Sequence, residues 1–183
     1  MKIYVIRHGE TTGDVEDRYG GSYDDYLTEK GREQLVDTAS KLVGKGIEKI
    51  FSSSLTRAKE SSEIISEAIG APIETLDGLR ERDYGVLGGL TKVEALEKYP
   101  EAVEAHKDPL NTDPDGESWE DFQRRTVDTF ESLAKEQYGT IAIVSHGGPI
   151  KRILAHLGLP LPEKLGDGEI IEIEATQEGK LNK

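Results

Sequence analysis

The stretch Lys2-Ile3-Tyr4-Val5-Ile6-Arg7-His8-Gly9-Glu10-Thr11 sets the architecture of this chain. Lys2–Ile6 is a short run of β-branched and aromatic side chains and reads as a buried strand. It runs straight into an arginine, a histidine and a glycine. A second apolar run, Thr140-Ile141-Ala142-Ile143-Val144, ends the same way, in Ser145-His146-Gly147-Gly148. Two of the four histidines therefore stand at the exits of strand-like segments far apart in the chain. Each is followed by glycine, which lets backbone come close to a ligand. In open parallel sheets, ligands bind beyond the carboxyl ends of the strands. If the two strands are neighbours, two imidazoles and an arginine share one crevice, a place to hold and move a phosphoryl group.

Outward from these strands, strand and helix patterns alternate. Asp14 to Asp25 is rich in Gly, Asp and Tyr and reads as an ordered loop. Thr28 caps a helix whose stripe is Gln34, Leu35, Ala39, Leu42 and Val43, ended by Gly44 and Gly46. Ile47–Phe51 is a second strand. Ser52-Ser53-Ser54 predicts the cap of a helix to about Ile69, with Leu55, Ala58, Ile64, Ile65 and Ala68 facing the core. Pro72-Ile73 begins a third strand, Leu79 to Leu90 is a glycine-broken loop, and Val93–Tyr99 is helical. After a loop over Asp108 to Gly116, a long amphipathic helix follows Glu117-Ser118, its apolar face Trp119, Phe122, Val127, Phe130 and Leu133. Pro149 suits the first turn of the next helix, where its missing N–H costs nothing. Ile150, Ile153, Leu154 and Leu157 mark that helix's buried face. Glu169–Ala175 is a late strand at an edge. The expectation is a three-layer α/β/α sandwich on a mainly parallel sheet with one antiparallel edge strand. Residues 1–183 read as one domain, with 177–183 a polar tail.

Composition limits the function classes. At 183 residues the chain buries about 70% of the surface it exposes when unfolded, enough for a proper core. Hydrophobic residues make up 35% and charged residues 32%, so this is not a disordered polyelectrolyte. The net charge of -13 argues against a nucleic-acid binder or an anionic-membrane binder. An anionic substrate must then be drawn by a local cluster of Arg and His. There is no cysteine, no basic leader and no membrane-length apolar run, which together suggest a cytoplasmic enzyme without thiolate chemistry.

His8 can act as a nucleophile toward phosphorus if it is neutral, and nearby positive charge keeps it so. Arg7 and Arg57 supply that charge and can fork phosphate oxygens. Arg57 also lies in the first turn of its helix, an anion-favouring position. His146, protonated, would add donors to the same oxygens. His106 and His156 read as structural, the first in a charged stretch and the second on the polar side of its helix. Zinc is the rival chemistry, but no His-Glu-x-x-His spacing or Cys set is present and the arginines repel a cation.

Several stretches in order resemble the histidine phosphatase superfamily, the group that includes cofactor-dependent phosphoglycerate mutases. They are Arg7-His8-Gly9-Glu10-Thr11, Gly31 to Gln34 after Leu27-Thr28, Ser52 to Ala58, Gly116-Glu117-Ser118 and Ser145-His146-Gly147. The resemblance covers residues 2–160. It implies that His8 is phosphorylated, that Arg7, Arg57 and His146 bind the phosphate, and that Glu81 serves as acid and base. It implies no metal. It also implies substrate contacts at Thr11, Asp14, Gly20, Gly21, Tyr84, Lys92 and Gly147. The Glu81-to-Lys92 loop and Asp17 to Asp24 resemble the mutase version, which uses bisphosphoglycerate as primer. Against this, the mutases' Arg-Arg pair is replaced by His106-Lys107, their Asn after His-Gly by Gly148, and a phosphate-binding Asn by Asp14. A carboxylate beside a phosphate dianion is repulsive unless it is turned away or protonated. The reading favoured is a phosphomonoesterase of small phosphorylated metabolites. A phosphoglycerate mutase is the alternative, and a non-catalytic phosphate-binding scaffold the remaining one.

Overall fold

The structure is a computed structural model and describes residues 1–175; the tail expected at 177–183 lies outside the described residues. Five strands are present among these residues: β1 (Lys2–Arg7), β2 (Lys49–Ser53), β3 (Ile73–Leu76), β4 (Thr140–Ser145) and β5 (Ile170–Glu174). They form one sheet in the order β3-β2-β4-β1-β5. β5 alone is antiparallel, paired to β1 at the edge. β1 and β4 are direct parallel neighbours, with Arg7 opposite Ser145. The two strand exits that carry histidine are therefore side by side.

Alternation along the strands builds two cores. Ile3, Val5, Ile141 and Ile143 face one side, where they meet Phe130, Leu133, Ile150, Ile153 and Leu154. Those residues belong to α6 (Trp119–Ala134) and α7 (Gly147–His156). Tyr4, Ile6, Ala142 and Val144 face the other side, against Leu35, Leu42, Ala58 and Ile65 of α2 (Glu29–Leu42) and α3 (Thr56–Ile69). This is the expected three-layer sandwich. A smaller cluster of Tyr19, Leu87, Ala95 and Ala102 lies beside it under α4 (Lys92–Lys98) and α5 (Pro100–Ala105).

Some local expectations change. Thr28 caps α2 through Gly31 N as predicted. The serine trio does not cap α3: Ser52 and Ser53 complete β2, and the N-cap is Leu55 with no side-chain bond. Ala68 is exposed, whereas Ser61 and Ser62 are buried. Their hydroxyls donate to the carbonyls of Arg57 and Ala58 within the helix. A hydroxyl satisfied in this way can sit in a core, and a hydrophobic stripe does not reveal it. The start of the expected loop over Asp14–Asp25 is instead helical: a one-turn helix, α1 (Thr12–Val15), includes Asp14 and Val15. The helix α5, opened by Pro100, was not anticipated.

Candidate active site

Side chains from three strand exits converge above the carboxyl edge of the sheet. His8 follows β1 and is 5% exposed; His146 follows β4 and is 1% exposed. The ring centroids are 5.0 Å apart. Each ring's hydrogen bonds fix its tautomer. His8 Nδ1 lies 2.8 Å from the Gly9 carbonyl, which can only accept, so Nδ1 carries the proton. Nε2 is then the basic nitrogen, and it has no hydrogen-bond partner among the described residues. Burial first, then the Arg57 and Arg7 guanidinium charges, hold His8 well below the ordinary imidazole range. A neutral ring with a free Nε2 lone pair is the form a nucleophile needs.

His146 differs from expectation. Arg57 Nε donates to its Nδ1 at 3.1 Å, so Nε2 carries the proton and donates to Ser53 Oγ at 2.8 Å. Both nitrogens are committed, and burial followed by the charge of Arg57 pushes the ring well below its ordinary range. The protonated donor foreseen from the sequence is not the form this arrangement favours. In this structure His146 orients Arg57.

Arg57 is held from all sides. Besides His146 it donates to Tyr23 O (2.7 Å), Asp25 Oδ1 (2.9 Å) and Gly21 O (2.7 Å). Four of the five guanidinium hydrogens are thus used, and one on Nη2 is left. Arg7 donates to Leu165 O and pairs with Asp167 at 3.2 Å. Its Nε is buried without a partner among the described residues. A buried unpaired donor costs roughly 1–3 kcal/mol, which an oxyanion accepting from it would relieve.

Glu81 joins the same cavity. Its Oε2 accepts from Gly148 N (2.9 Å), at the start of α7, and its Oε1 from Arg82 N (2.9 Å). A Cβ at Gly148 would come within 2.1 Å of Glu81 Oε1. The cavity, about 180 Å³, is lined by Arg7, His8, Arg57 and Glu81, and also by Thr11, Asp14, Gly20, Gly21, Tyr84 and Gly147. Asp14 turns one oxygen away: Oδ2 accepts from Thr11 N and Thr11 Oγ1, at 2.9 Å each, completing a capping box with Thr11, the N-cap of α1. Tyr84 is kept protonated by burial and then by the charge of Glu81. Lys92 does not line the cavity; its Nζ sits 3.1 Å from the centre of the Tyr19 ring.

The sequence reading missed Gly13, Arg18 and Asp25 in the lining, and the supporting role of Ser53. Nothing in the linear pattern marks Asp25, whose function is visible only against buried Arg57. Of the two histidines read as structural, His106 pairs with buried Asp113 at 2.7 Å and His156 with Glu131 at 3.3 Å. Among the described residues, no group of three or more His, Cys, Asp or Glu could hold a metal ion, and no helix is long and apolar enough to cross a membrane.

Comparison with known proteins matches residues 3–180 to the family model described as histidine phosphatase superfamily (branch 1). A metal-independent phosphoserine phosphatase of Arabidopsis thaliana is 36% identical over 162 residues, covering 83% of this chain; the chain spans 66% of that protein's length. A 2,3-bisphosphoglycerate-dependent phosphoglycerate mutase 2 of Gloeobacter violaceus is 34% identical over 180 residues, covering 94% of this chain and 81% of that protein. The solved structure of Bacillus stearothermophilus YhfR superposes with a TM-score of 0.89 at 30% identity, covering 99% of this chain and 94% of that one.

Proposed function

The chain belongs to the histidine phosphatase superfamily, branch 1, and from that premise we propose that it is a phosphomonoesterase of small phosphorylated metabolites acting through a phosphohistidine at His8. The observation that carries this reading is the His8 tautomer: Nδ1–H tied to Gly9 O leaves Nε2 as a neutral, unpaired base beside two arginines. The substrate phosphate takes the free donors of Arg7 and Arg57. His8 Nε2 attacks phosphorus in line, the P–O bond to the alcohol breaks, and protonated Glu81 gives its proton to the departing oxygen. Glu81 as carboxylate then takes a proton from water. The hydroxide oxygen attacks phosphorus, the P–N bond breaks, and phosphate and neutral His8 return. The protein needs no metal in this scheme. The described sheet and its helices act as one catalytic domain, and the cysteine-free composition suits work in the cytoplasm.

A second reading, bisphosphoglycerate-primed mutase, draws on the Gloeobacter violaceus relative. It is disfavoured by the stacking of Lys92 on Tyr19 and by the Asp14 carboxylate in the cavity lining. The test is turnover of small phosphomonoesters together with trapping of a phosphoenzyme by acid-free quench. We expect wild type to hydrolyse them and to carry label on His8, and His8→Ala to lose both. Absence of hydrolysis and label in wild type refutes the proposal. Interconversion of 3- and 2-phosphoglycerate that depends on bisphosphoglycerate would select the mutase.

A further inference from the structure

A second cavity, about 170 Å³, adjoins the first and shares Glu81 and Tyr84 with it; its remaining wall includes His106, Trp119, Phe122 and Gly148. We infer that this cavity receives the alcohol half of the substrate and is selective for an apolar, ring-sized group without a second anionic charge. The inference rests on the proposed phosphatase reading and deepens it.

Three observations argue it. The first is position. Glu81 lines both cavities, so a phosphoryl group beside His8 and an organic group beside Trp119 put the bridging oxygen next to the carboxyl that must protonate it. The second is the wall. The Trp119 and Phe122 rings lie 6.0 Å apart and the Tyr84 and His106 rings 4.6 Å apart, edge to face. Aromatic walls of this kind recognise apolar and planar groups.

The third is charge. The cationic side chain in the wall, Arg82, donates from Nε, Nη1 and Nη2 to the carbonyls of Glu117, Pro109 and Asn111 and is 7% exposed. Its plane also lies over the Trp119 ring, 5.7 Å from the centroid. His106 is tied through Nδ1 to Asp113, whose second carboxylate oxygen is buried with no partner among the described residues. Asp108 adds a further acidic group to the lining. Lys107, next in sequence, pairs with Glu104 and is exposed. A carboxylate or second phosphate entering here would meet Asp108 and find the lining guanidinium, Arg82, already spent on backbone; Arg125 and Arg152 pack over the Phe122 and Trp119 rings but do not line the cavity.

The test compares 2-phenylethyl phosphate with ethyl phosphate, two esters of alcohols with similar leaving ability, and with 3-phosphoglycerate. For wild type we expect kcat/KM for 2-phenylethyl phosphate to exceed that of ethyl phosphate by about tenfold or more, as burying one ring gives, and to exceed that of 3-phosphoglycerate as well. In Trp119→Ala the phenylethyl-to-ethyl ratio should fall to within about twofold of one. A wild-type ratio near one, or preference for 3-phosphoglycerate, overturns the inference without any variant. If ethyl phosphate is hydrolysed and His8 labelled while the ratio is near one, the subsite reading alone fails. If wild type neither turns over nor takes label, the phosphatase reading fails and this inference with it.

Discussion

At position 148 the absence of a side chain does the positioning. Gly148 N donates to Glu81 Oε2, and a methyl group there would press within 2.1 Å of Oε1. The residue lies in the first turn of α7, where alanine is welcome to the helix. Gly148→Ala should therefore fold normally yet displace the acid. We expect kcat on alkyl phosphates to drop by ~10²-fold, the usual worth of a placed proton donor. Turnover of 4-nitrophenyl phosphate, whose leaving group needs no proton, should drop by less than about tenfold. Equal losses on both substrates would remove Glu81 from the acid role. The sequence flags position 148 only as a departure from the mutase pattern, because the collision partner is 67 residues away. Arg7, His8 and Arg57 are legible for the opposite reason: each sits within a few residues of a strand end, where local pattern already implies the direction it faces.

At the scale of elements, the nucleophile loop is shaped by backbone pressed on backbone. A Cβ at Gly31 in α2 would lie 2.1 Å from Glu10 O, and one at Gly9 would lie 2.5 Å from Gly31 O. The segment leaving β1 and the first turn of α2 can approach this closely only as glycine against glycine. Gly31→Ala should cost about 1–3 kcal/mol by overpacking, measured by urea unfolding, and should lower kcat by shifting the loop that carries His8. Between β2 and α3 the device is electrostatic. Arg57 and Asp25 have side chains only 4% and 3% exposed. Removing one member of such a pair typically costs about 3–5 kcal/mol because the other stays buried and charged. For Asp25→Ala we expect a loss toward the low end, since Arg57 keeps its carbonyl partners, with a rise in KM that exceeds the fall in kcat. A Tm within a degree of wild type would contradict the pairing.

Over the whole molecule, two buried neutral imidazoles link stability to pH. Unfolded, each titrates near its ordinary value of about 6.5; folded, both are held well below it. Between those values the unfolded chain binds more protons, so this contribution is complete above about pH 6.5 and is lost as pH falls toward the folded values. Each ring supplies at most about 1.4 kcal/mol per pH unit. Tm should fall from about pH 7 to about pH 5.5, and His8→Asn should flatten that slope; an unchanged slope would mean His8 is not held neutral. The linear pattern was enough for the layer order, the parallel sheet with its reversed edge strand, and the placing of two histidines at neighbouring strand exits. Periodicity and strand-end chemistry act over a few residues, and a few residues suffice to read them. Packing in three dimensions chose the rest: which ring nitrogen carries the proton, that His146 holds Arg57, that Lys92 turns to Tyr19, and that an aromatic chamber opens behind Glu81. Those outcomes depend on contacts between groups tens of residues apart, and the distances and burial that select them exist only once the chain has closed on itself.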